Sequence, residues 1–289
     1  MAQQTLQGHV PQVVTRLNLQ AVGRLSGTNR LSLVIGLPYR KKDVLAPLLQ
    51  QIYDSAGLNY HHYLTPNEFT ETFGPTEQDY QAIVAFAKAN GLTVKGTHSS
   101  RTLLDVEAPV TTIERVFHVK MCVYQHPAEK RTFFAPATDP ALDLNIPVLH
   151  ITGLDNYTVP SPNLTAYPND KATNPIPNTG SGQGGSYQGN DFRNAYAPGV
   201  ALTGLGQVLG LLELDGYNSN DITAYRNLTG IPNVPIQNVL LDGFNGNAGI
   251  NNDEVCLDIE MANAMAPGLF KVIVLRSPKR RFALDGHFG

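Results

Sequence analysis

The spacing of hydrophobic residues in the first half of the chain predicts short strands that alternate with helices. Apolar positions alternate in residues 30–37, which predicts a strand, and recur at helical spacing in residues 42–55. Thr65 and Glu68 form a capping box with Pro66 at the first helical position, which predicts a helix ending near residue 74. Further predictions are a helix over 76–91, strands at 92–96 and 102–107, a helix at 110–117 and a strand at 120–124. The short, closely linked elements predict that residues 30–155 form a compact α+β sandwich.

The second half has a different pattern. Residues 159–190 are rich in Pro, Gly and Ser, which indicates a flexible linker that proteases cut easily. The apolar run 206–215 predicts a strand buried on both faces of a parallel sheet. A helix over 219–227, a strand ending at 239–242, a helix over 254–266 and a strand over 270–275 follow. This order predicts an α/β domain with a parallel sheet, of which the sequence contains only the first part.

Composition excludes several classes of protein. The 289 residues are 42% hydrophobic and 16% charged with a net charge of −3, which gives no support for a nucleic-acid or anionic-membrane partner. No apolar run is long enough to span a membrane, and residues 1–20 have no apolar core of the signal-peptide type. Cys122 and Cys256 fall in different predicted domains and are interpreted as isolated buried thiols.

Two carboxylates carry the candidate chemistry. Glu254 and Asp258 are four residues apart, so they lie on one face of a helix that the sequence predicts to be apolar nearly all round and buried. A carboxylate can act as a general base at an acidic pH where histidine is protonated, and a second carboxylate can share its proton. The same spacing is common on solvated helix faces, so the pair alone does not establish a function.

The chain resembles the sedolisin family, the serine-carboxyl peptidases, together with their activation pro-domain. The resemblance covers about residues 29–275 and is of the kumamolisin type. It is carried by short segments in both halves, at 61–69 (HHYLTPNEF), 73–76 (FGPT), 91–94 (GLTV), 101–104 (RTLL), 113–117 (IERVF), 192–196 (FRNAY), 206–208 (GQV), 254–259 (EVCLDI) and 264–268 (AMAPG).

The resemblance implies a fold and a mechanism. The pro-domain would be a ferredoxin-like antiparallel sandwich that assists folding and blocks the active site until cleavage in acid. The catalytic domain would be subtilisin-like, with Glu254 as general base and Asp258 as the supporting carboxylate, acting on polypeptide substrates. The implied organisation is an N-terminal segment (1–28), the activation pro-domain (29–158), the linker with its processing region (159–190), the first part of the peptidase domain (191–275) and an anomalous tail (276–289). A contact between pro-domain and catalytic domain is implied, as is an extracellular location.

Several parts of the family pattern are missing from the 289 residues. The nucleophilic Ser of a Gly-Thr-Ser segment, the oxyanion Asp and the calcium site are expected beyond this sequence, so no nucleophile and no cofactor is assigned to it. Gly180-Ser181 and Gly185-Ser186 belong to the linker, and Asp285 in the tail is not assigned. The catalytic domain is therefore expected to be truncated and this polypeptide inactive, with strands 208–214 and 272–275 left as unpaired edges. The alternatives are a stand-alone pro-domain that acts as an inhibitor or folding chaperone, and an inert fragment.

Four other features have simpler interpretations beside a functional one. His61 and His62 could sense pH, although a loop pair before a capped helix more often serves packing and hydrogen bonding. Residues 242–253 resemble a calcium loop but lack its ligand spacing, which favours a Gly/Asn turn. Asn156, Asn163 and Asn227 begin glycosylation sequons. The short basic run 279–281 does not indicate nucleic acid.

Overall fold

The computed structural model describes residues 3–159, 179–182, 185–241 and 243–277. The chain divides into two compact units, unit 1 (Met1–Thr158) and unit 2 (Val159–Gly289), which are described separately. None of the helices within these residues has the length and apolar character needed to cross a bilayer. The predicted linker lies mostly at 160–178 and 183–184 and the predicted tail at 278–289, and both of these parts, with Asn163, Asp242 and Asp285, lie outside the described residues.

Unit 1 contains nine strands and five helices in its described residues. In chain order these are β1 (Gln4–Thr5), α1 (Gln12–Arg16), β2 (Ala21–Arg24), β3 (Arg30–Gly36), α2 (Lys42–Tyr53), α3 (Pro66–Phe73), α4 (Glu77–Ala89), β4 (Thr93–Thr97), β5 (Leu103–Pro109), α5 (Val110–Val116), β6 (Met121–Gln125), β7 (Thr132–Pro136), β8 (Ala141–Leu142) and β9 (His150–Thr152). The predicted helices and strands of residues 30–124 are confirmed within a few residues at each end.

Two antiparallel sheets organise unit 1. One has the strand order β4-β5-β3-β9 and the other β2-β6-β7. On β3 and β5 every second side chain is buried, including Leu33, Ile35, Leu104 and Val106, because one face of the sheet packs on the core. Helices α4 and α5 contact β4 and β5. This arrangement confirms the mixed α and β character predicted for the first half.

The N-terminal residues are integral to unit 1, although their sequence predicted no element. Strand β1 pairs with β8, through Gln4 opposite Leu142, and β2 pairs with β6. Helix α1 contributes Val13 and Val14 to a second apolar core with Cys122 and Phe133. These elements are short and depend on partners more than a hundred residues away, so local periodicity carries little sign of them.

Unit 2 is built on a parallel sheet. Its described elements are α6 (Gly189–Tyr196), β10 (Val208–Glu213), α7 (Ser219–Thr229), β11 (Ile236–Leu240), α8 (Asn252–Met265) and β12 (Lys271–Arg276). The strand order is β10-β12-β11 with both pairs parallel, which confirms the predicted parallel sheet. Ile222 of α7, Val255 and Ile259 of α8, and Val272 and Val274 of β12 form the core.

Two expectations for the second half are wrong in detail, and a third feature has a structural role. Strand β10 is not buried on both faces, because Val208 and Leu212 are exposed. Residues 272–275 are not an unpaired edge, because β12 is the central strand. The change of composition predicted at residue 276 begins inside β12: Arg276 is buried, donates from Nη1 to Gly246 O at 2.9 Å and lies 5.0 Å from the ring centroid of Tyr217.

Candidate active site

The topology of unit 2 brings several acidic residues to one edge of its sheet. Strand β10 ends at Glu213, and α8 begins at Asn252 after the loop that leaves the carboxyl end of β11. The first turns of α8 therefore lie at the carboxyl edge of the parallel strands, where open α/β sheets bind ligands. Glu254 and Asp258 occupy these first two turns, one helical turn apart.

Helix α8 is only partly buried. Val255, Ile259 and Asn263 face the interior, whereas Leu257 is 41% exposed and Asp258 lies on the surface. The expectation of a helix buried all round is wrong, because the described sheet covers only one side of it. Glu254 is half-buried at the boundary of that side.

A third carboxyl group, Glu213, lies beside the predicted pair. Its side chain is buried, with 4% of the residue exposed, and its Oε1 has no hydrogen-bond partner among the described residues. Burial, then the negative charge of Asp258 and then that of Glu254, raise the pKa of Glu213 to about 8. Glu213 therefore holds a proton at neutral pH, since ionisation would place a third like charge in this site.

The remaining two carboxyl groups differ in their surroundings. Partial burial raises the pKa of Asp258, although its side chain reaches solvent. Glu254 interacts with Glu213 through its charge. The charges of Asp258 and Glu254 both act on Glu213, so the ionisation of Glu213 depends on both of them. Carboxylates at the carboxyl edge of a parallel sheet are suited to act as a general base in acid, where histidine is protonated.

The sequence interpretation missed Glu213. It stands inside the apolar run 206–215, which was taken as a buried strand. A signal was available, because a lone carboxylate in a buried strand is costly and needs a reason. The identity of its neighbours on α8, Asp258 and Glu254, becomes evident only from the packing of β10 against that helix.

Glu260 and the two cysteines do not belong to this carboxyl cluster. Burial and the charge of Asp221 raise the pKa of Glu260 to about 7. Burial, with Glu260 as the next cause, raises the pKa of Cys256 to about 12, which suppresses its thiolate form. Cys122 and Cys256 are both free and buried, as predicted.

The serine candidates of the linker have structural roles where they are described. The Ser181 hydroxyl donates to Asp191 Oδ2 at 3.0 Å, and the same oxygen accepts the backbone N–H groups of Ser181 and Gln188 at the start of α6. Ser181 is thus part of a helix cap, which agrees with its assignment to the linker.

The segment before α8 consists of turns rather than a metal loop. Asn245 Oδ1 accepts the Asn247 N–H at 2.9 Å, and Asp215 accepts the Asn251 N–H at 2.9 Å. Across the described ranges no three His, Cys, Asp or Glu side chains are placed to hold a metal ion. These hydrogen bonds agree with the Gly/Asn turn that the sequence favours.

Two other sequence candidates also have structural explanations. His61 has a left-handed backbone with φ 57° and stacks on Tyr60 at 3.8 Å in an exposed loop, which favours packing over pH sensing. Asn156 is buried and accepts the Phe134 N–H through Oδ1 at 2.7 Å, so the folded unit does not offer it for glycosylation. Asn227 is exposed on α7.

Comparison with known proteins gives matches in both units. Residues 18–157 match the family described as Pro-kumamolisin, activation domain. Kumamolisin from Bacillus sp. (strain MN-32) is 26% identical over 287 residues, which covers 95% of this chain and 50% of the relative. Xanthomonalisin from Xanthomonas sp. (strain T-22) is 29% identical over 169 residues, covering 57% of this chain and 20% of the relative. Sedolisin from Pseudomonas sp. (strain 101) is 24% identical over 217 residues, which covers 74% of this chain and 36% of the relative. The chain thus spans about half the length of kumamolisin and smaller shares of the other two.

Proposed function

Because the chain belongs to the sedolisin family, we propose that it is the pro-form of an acid-acting serine-type endopeptidase. Residues 29–158 would be the activation domain, a ferredoxin-like sandwich, and unit 2 would supply the first part of a subtilisin-like peptidase domain. The observation that carries this proposal is the meeting of Glu213, Glu254 and Asp258 at the carboxyl edge of the parallel sheet. Supporting it, the activation-domain match covers most of unit 1.

In this proposal Glu254 is the general base. It takes the hydroxyl proton of a serine as that oxygen attacks the peptide carbonyl, and it returns the proton to the leaving amine. Asp258 orients Glu254 and shares its proton. Glu213 stays protonated at neutral pH, so it adds no third negative charge beside Glu254 and Asp258.

The serine itself is not among the 289 residues, which contain no Gly-Thr-Ser segment. A polypeptide of these residues alone is therefore proposed not to hydrolyse peptides, because its general base has no nucleophile to activate. The substrates of a chain that carries the serine would be polypeptides, and its proposed location is extracellular. No step of the proposed mechanism is assigned to calcium.

Sequencing of the transcript beyond the codon for residue 275, in all frames, tests the peptidase assignment. Continuation into an Asp and a Gly-Thr-Ser segment supports it. The continued chain is then expected to cleave peptides in acid, and Glu254→Gln is expected to lower kcat by about a hundredfold or more. Lack of such a segment in every frame, or full activity of the Glu254→Gln variant, would contradict it.

The second candidate is an inhibitor or folding chaperone of a separate acid protease. It is favoured by unit 1, which has its own sheets and buried core and contains all of the matched activation domain. The test is to add the full 289-residue chain to kumamolisin at pH 4 and at pH 6. Stoichiometric inhibition would support this candidate, and unchanged rates at both pH values would exclude it.

A further inference from the structure

A buried histidine joins the two ends of unit 1. His9 lies between β1 and α1 and is only 5% exposed. Its Nε2 accepts the backbone N–H of Ile151 in β9 at 3.0 Å, and its Nδ1 lies 3.0 Å from Leu6 O. Both bonds form together only when the ring is neutral with its proton on Nδ1, because a protonated imidazole has no acceptor.

The surroundings of His9 oppose its protonation. The titratable groups that act on it are His150 from β9 and Asp139 from the segment between β7 and β8. The His150 ring stacks on His9 with centroids 4.1 Å apart, so a second positive charge there would be repelled. Asp139 Oδ1 accepts the backbone N–H groups of His9 and Val10 and favours the charged ring. Burial first, and His150 second, outweigh it and lower the pKa of His9.

The bond from Ile151 to His9 holds a short edge strand of unit 1. Strand β9 has three residues and pairs only with β3, at Val34–Gly36, so it is an edge strand with few backbone bonds. A proton on Nε2 would turn this acceptor into a donor that faces the Ile151 N–H, which is also a donor. Neither group would then have an acceptor, so the hydrogen bond would be lost. The chain continues from β9 to the end of unit 1 at Thr158.

We propose that His9 is an acid-released latch: protonation of its Nε2 in mildly acidic solution breaks the bond to Ile151 and frees β9 from the N-terminal segment. The backbone amides of β9, which precedes the last residues of unit 1, then exchange more freely. The meaning of this release for zymogen activation rests on the proposed function, whereas the release itself is a property of unit 1. It assigns pH sensing to His9 rather than to the exposed His61 and His62.

Hydrogen exchange measured by mass spectrometry on the full 289-residue chain tests the latch. Rates at pH 7.5 and pH 5.0 are corrected for intrinsic exchange, and the peptide that contains β9 is compared with one from β5. Asp139 stays ionised over this range, because burial raises its pKa but the backbone hydrogen bonds that it accepts outweigh burial and lower the pKa overall. The wild-type chain is expected to lose protection in β9 by about tenfold at pH 5.0, with β5 unchanged.

His9→Gln is the deciding variant. Its amide oxygen can accept the Ile151 N–H at the place of Nε2 but cannot be protonated, so β9 is expected to stay protected at pH 5.0. His118→Gln is the matched control, because His118 is exposed and pairs with Asp143 at 2.9 Å, and it should behave as wild type. Equal wild-type protection at both pH values, or the same acid loss in His9→Gln, overturns the proposal.

A second measurement covers the case in which His9→Gln fails to fold. In the wild-type chain, the Ile151 amide resonance and the His9 ring resonances are followed by NMR from pH 7.5 to pH 4.5. One shared transition supports the latch, and two separate transitions overturn it. Neither experiment uses peptidase activity, so failure of the latch and failure of the proposed function give different results.

Discussion

The two units bury opposite kinds of titratable group. Unit 1 buries a base, His9, whose pKa is lowered. Unit 2 contains the buried Glu213 and the half-buried Glu260, whose pKa values are raised to about 8 and about 7. Among the described residues every histidine lies in unit 1. Both kinds of group are buried in their neutral form, because desolvation penalises a charge of either sign. The same physical cause therefore makes the two units respond to acid in opposite directions.

The direction in which the stability of each unit changes with pH follows from proton linkage. Unfolded histidine binds a proton below about pH 6.5 while folded His9 resists it, so unit 1 loses stability as the pH falls through that range. Folded Glu213 keeps its proton up to about pH 8 while an unfolded glutamate releases it above about pH 4.5. The contribution of Glu213 to unit 2 is therefore complete in acid and is lost as the pH rises. Under the proposed function, acid weakens the activation domain and favours the peptidase part.

The largest effect is expected from Glu213→Gln, which replaces the buried acid by a neutral side chain of the same shape. Relative to wild type, the free energy of unfolding of unit 2 should rise by about 3 kcal/mol at pH 7 and change little at pH 4.5. Glu260 also makes unit 2 less stable as the pH rises, but it is present in both chains. The difference in unfolding free energy between the wild-type and variant chains therefore reports on Glu213 alone. Urea unfolding is followed by reaction of Cys256 with an acid-tolerant disulfide reagent, since this cysteine is buried in unit 2.

Cys122 provides the internal control for that measurement. It is buried in unit 1, so its exposure in urea should be the same in the wild-type and Glu213→Gln chains. If the unfolding free energies of the wild-type and variant chains differ by the same amount at pH 4.5 and pH 7, Glu213 is ionised in the folded state. The two units then do not respond to acid in opposite directions.

A smaller effect that does not depend on pH is expected in unit 1 from Asn156→Ala. The Asn156 side chain accepts the Phe134 N–H at 2.7 Å in a buried site, and loss of such a bond costs about 1–3 kcal/mol. No titratable group takes part, so the loss measured through Cys122 should be equal at pH 7.5 and pH 5.0. Asn227→Ala, at an exposed position of α7, is the control. If Asn156→Ala lowered the stability of unit 1 only in acid, the pH response of unit 1 would have another source than His9.

Local sequence signals predicted the elements that form through near neighbours. The capping box is present, with Thr65 Oγ1 accepting the Glu68 N–H and Glu68 accepting the Thr65 N–H. Thr76 caps α4 in the same way, through the Asp79 N–H. The parallel sheet also followed from the apolar runs and the helices between them.

The features that control the pH response were not predictable in the same way. The partner of His9 is 142 residues away in a three-residue strand, and no periodicity marks such a contact. Glu213 was visible as a carboxylate in an apolar run, but its neighbours on α8 depend on how the helix crosses the sheet. The role of a buried ionisable group is set by tertiary contacts that the sequence does not display locally.

The smallest effects are expected within the carboxyl cluster, and they test its geometry. Asp258→Asn and Glu254→Gln each remove one negative charge that raises the pKa of Glu213, and Asp258 has the larger influence. Both variants should move the Glu213 titration to lower pH, with Asp258→Asn moving it further. The titration is followed by NMR of the labelled side-chain carboxyl carbons. Glu260→Gln is the matched control, because Asp221 rather than Glu213 is its charged neighbour. If Glu260→Gln shifts Glu213 as much as Asp258→Asn does, the three carboxyl groups do not act as one unit, and the mechanism proposed for Glu254 loses its structural support.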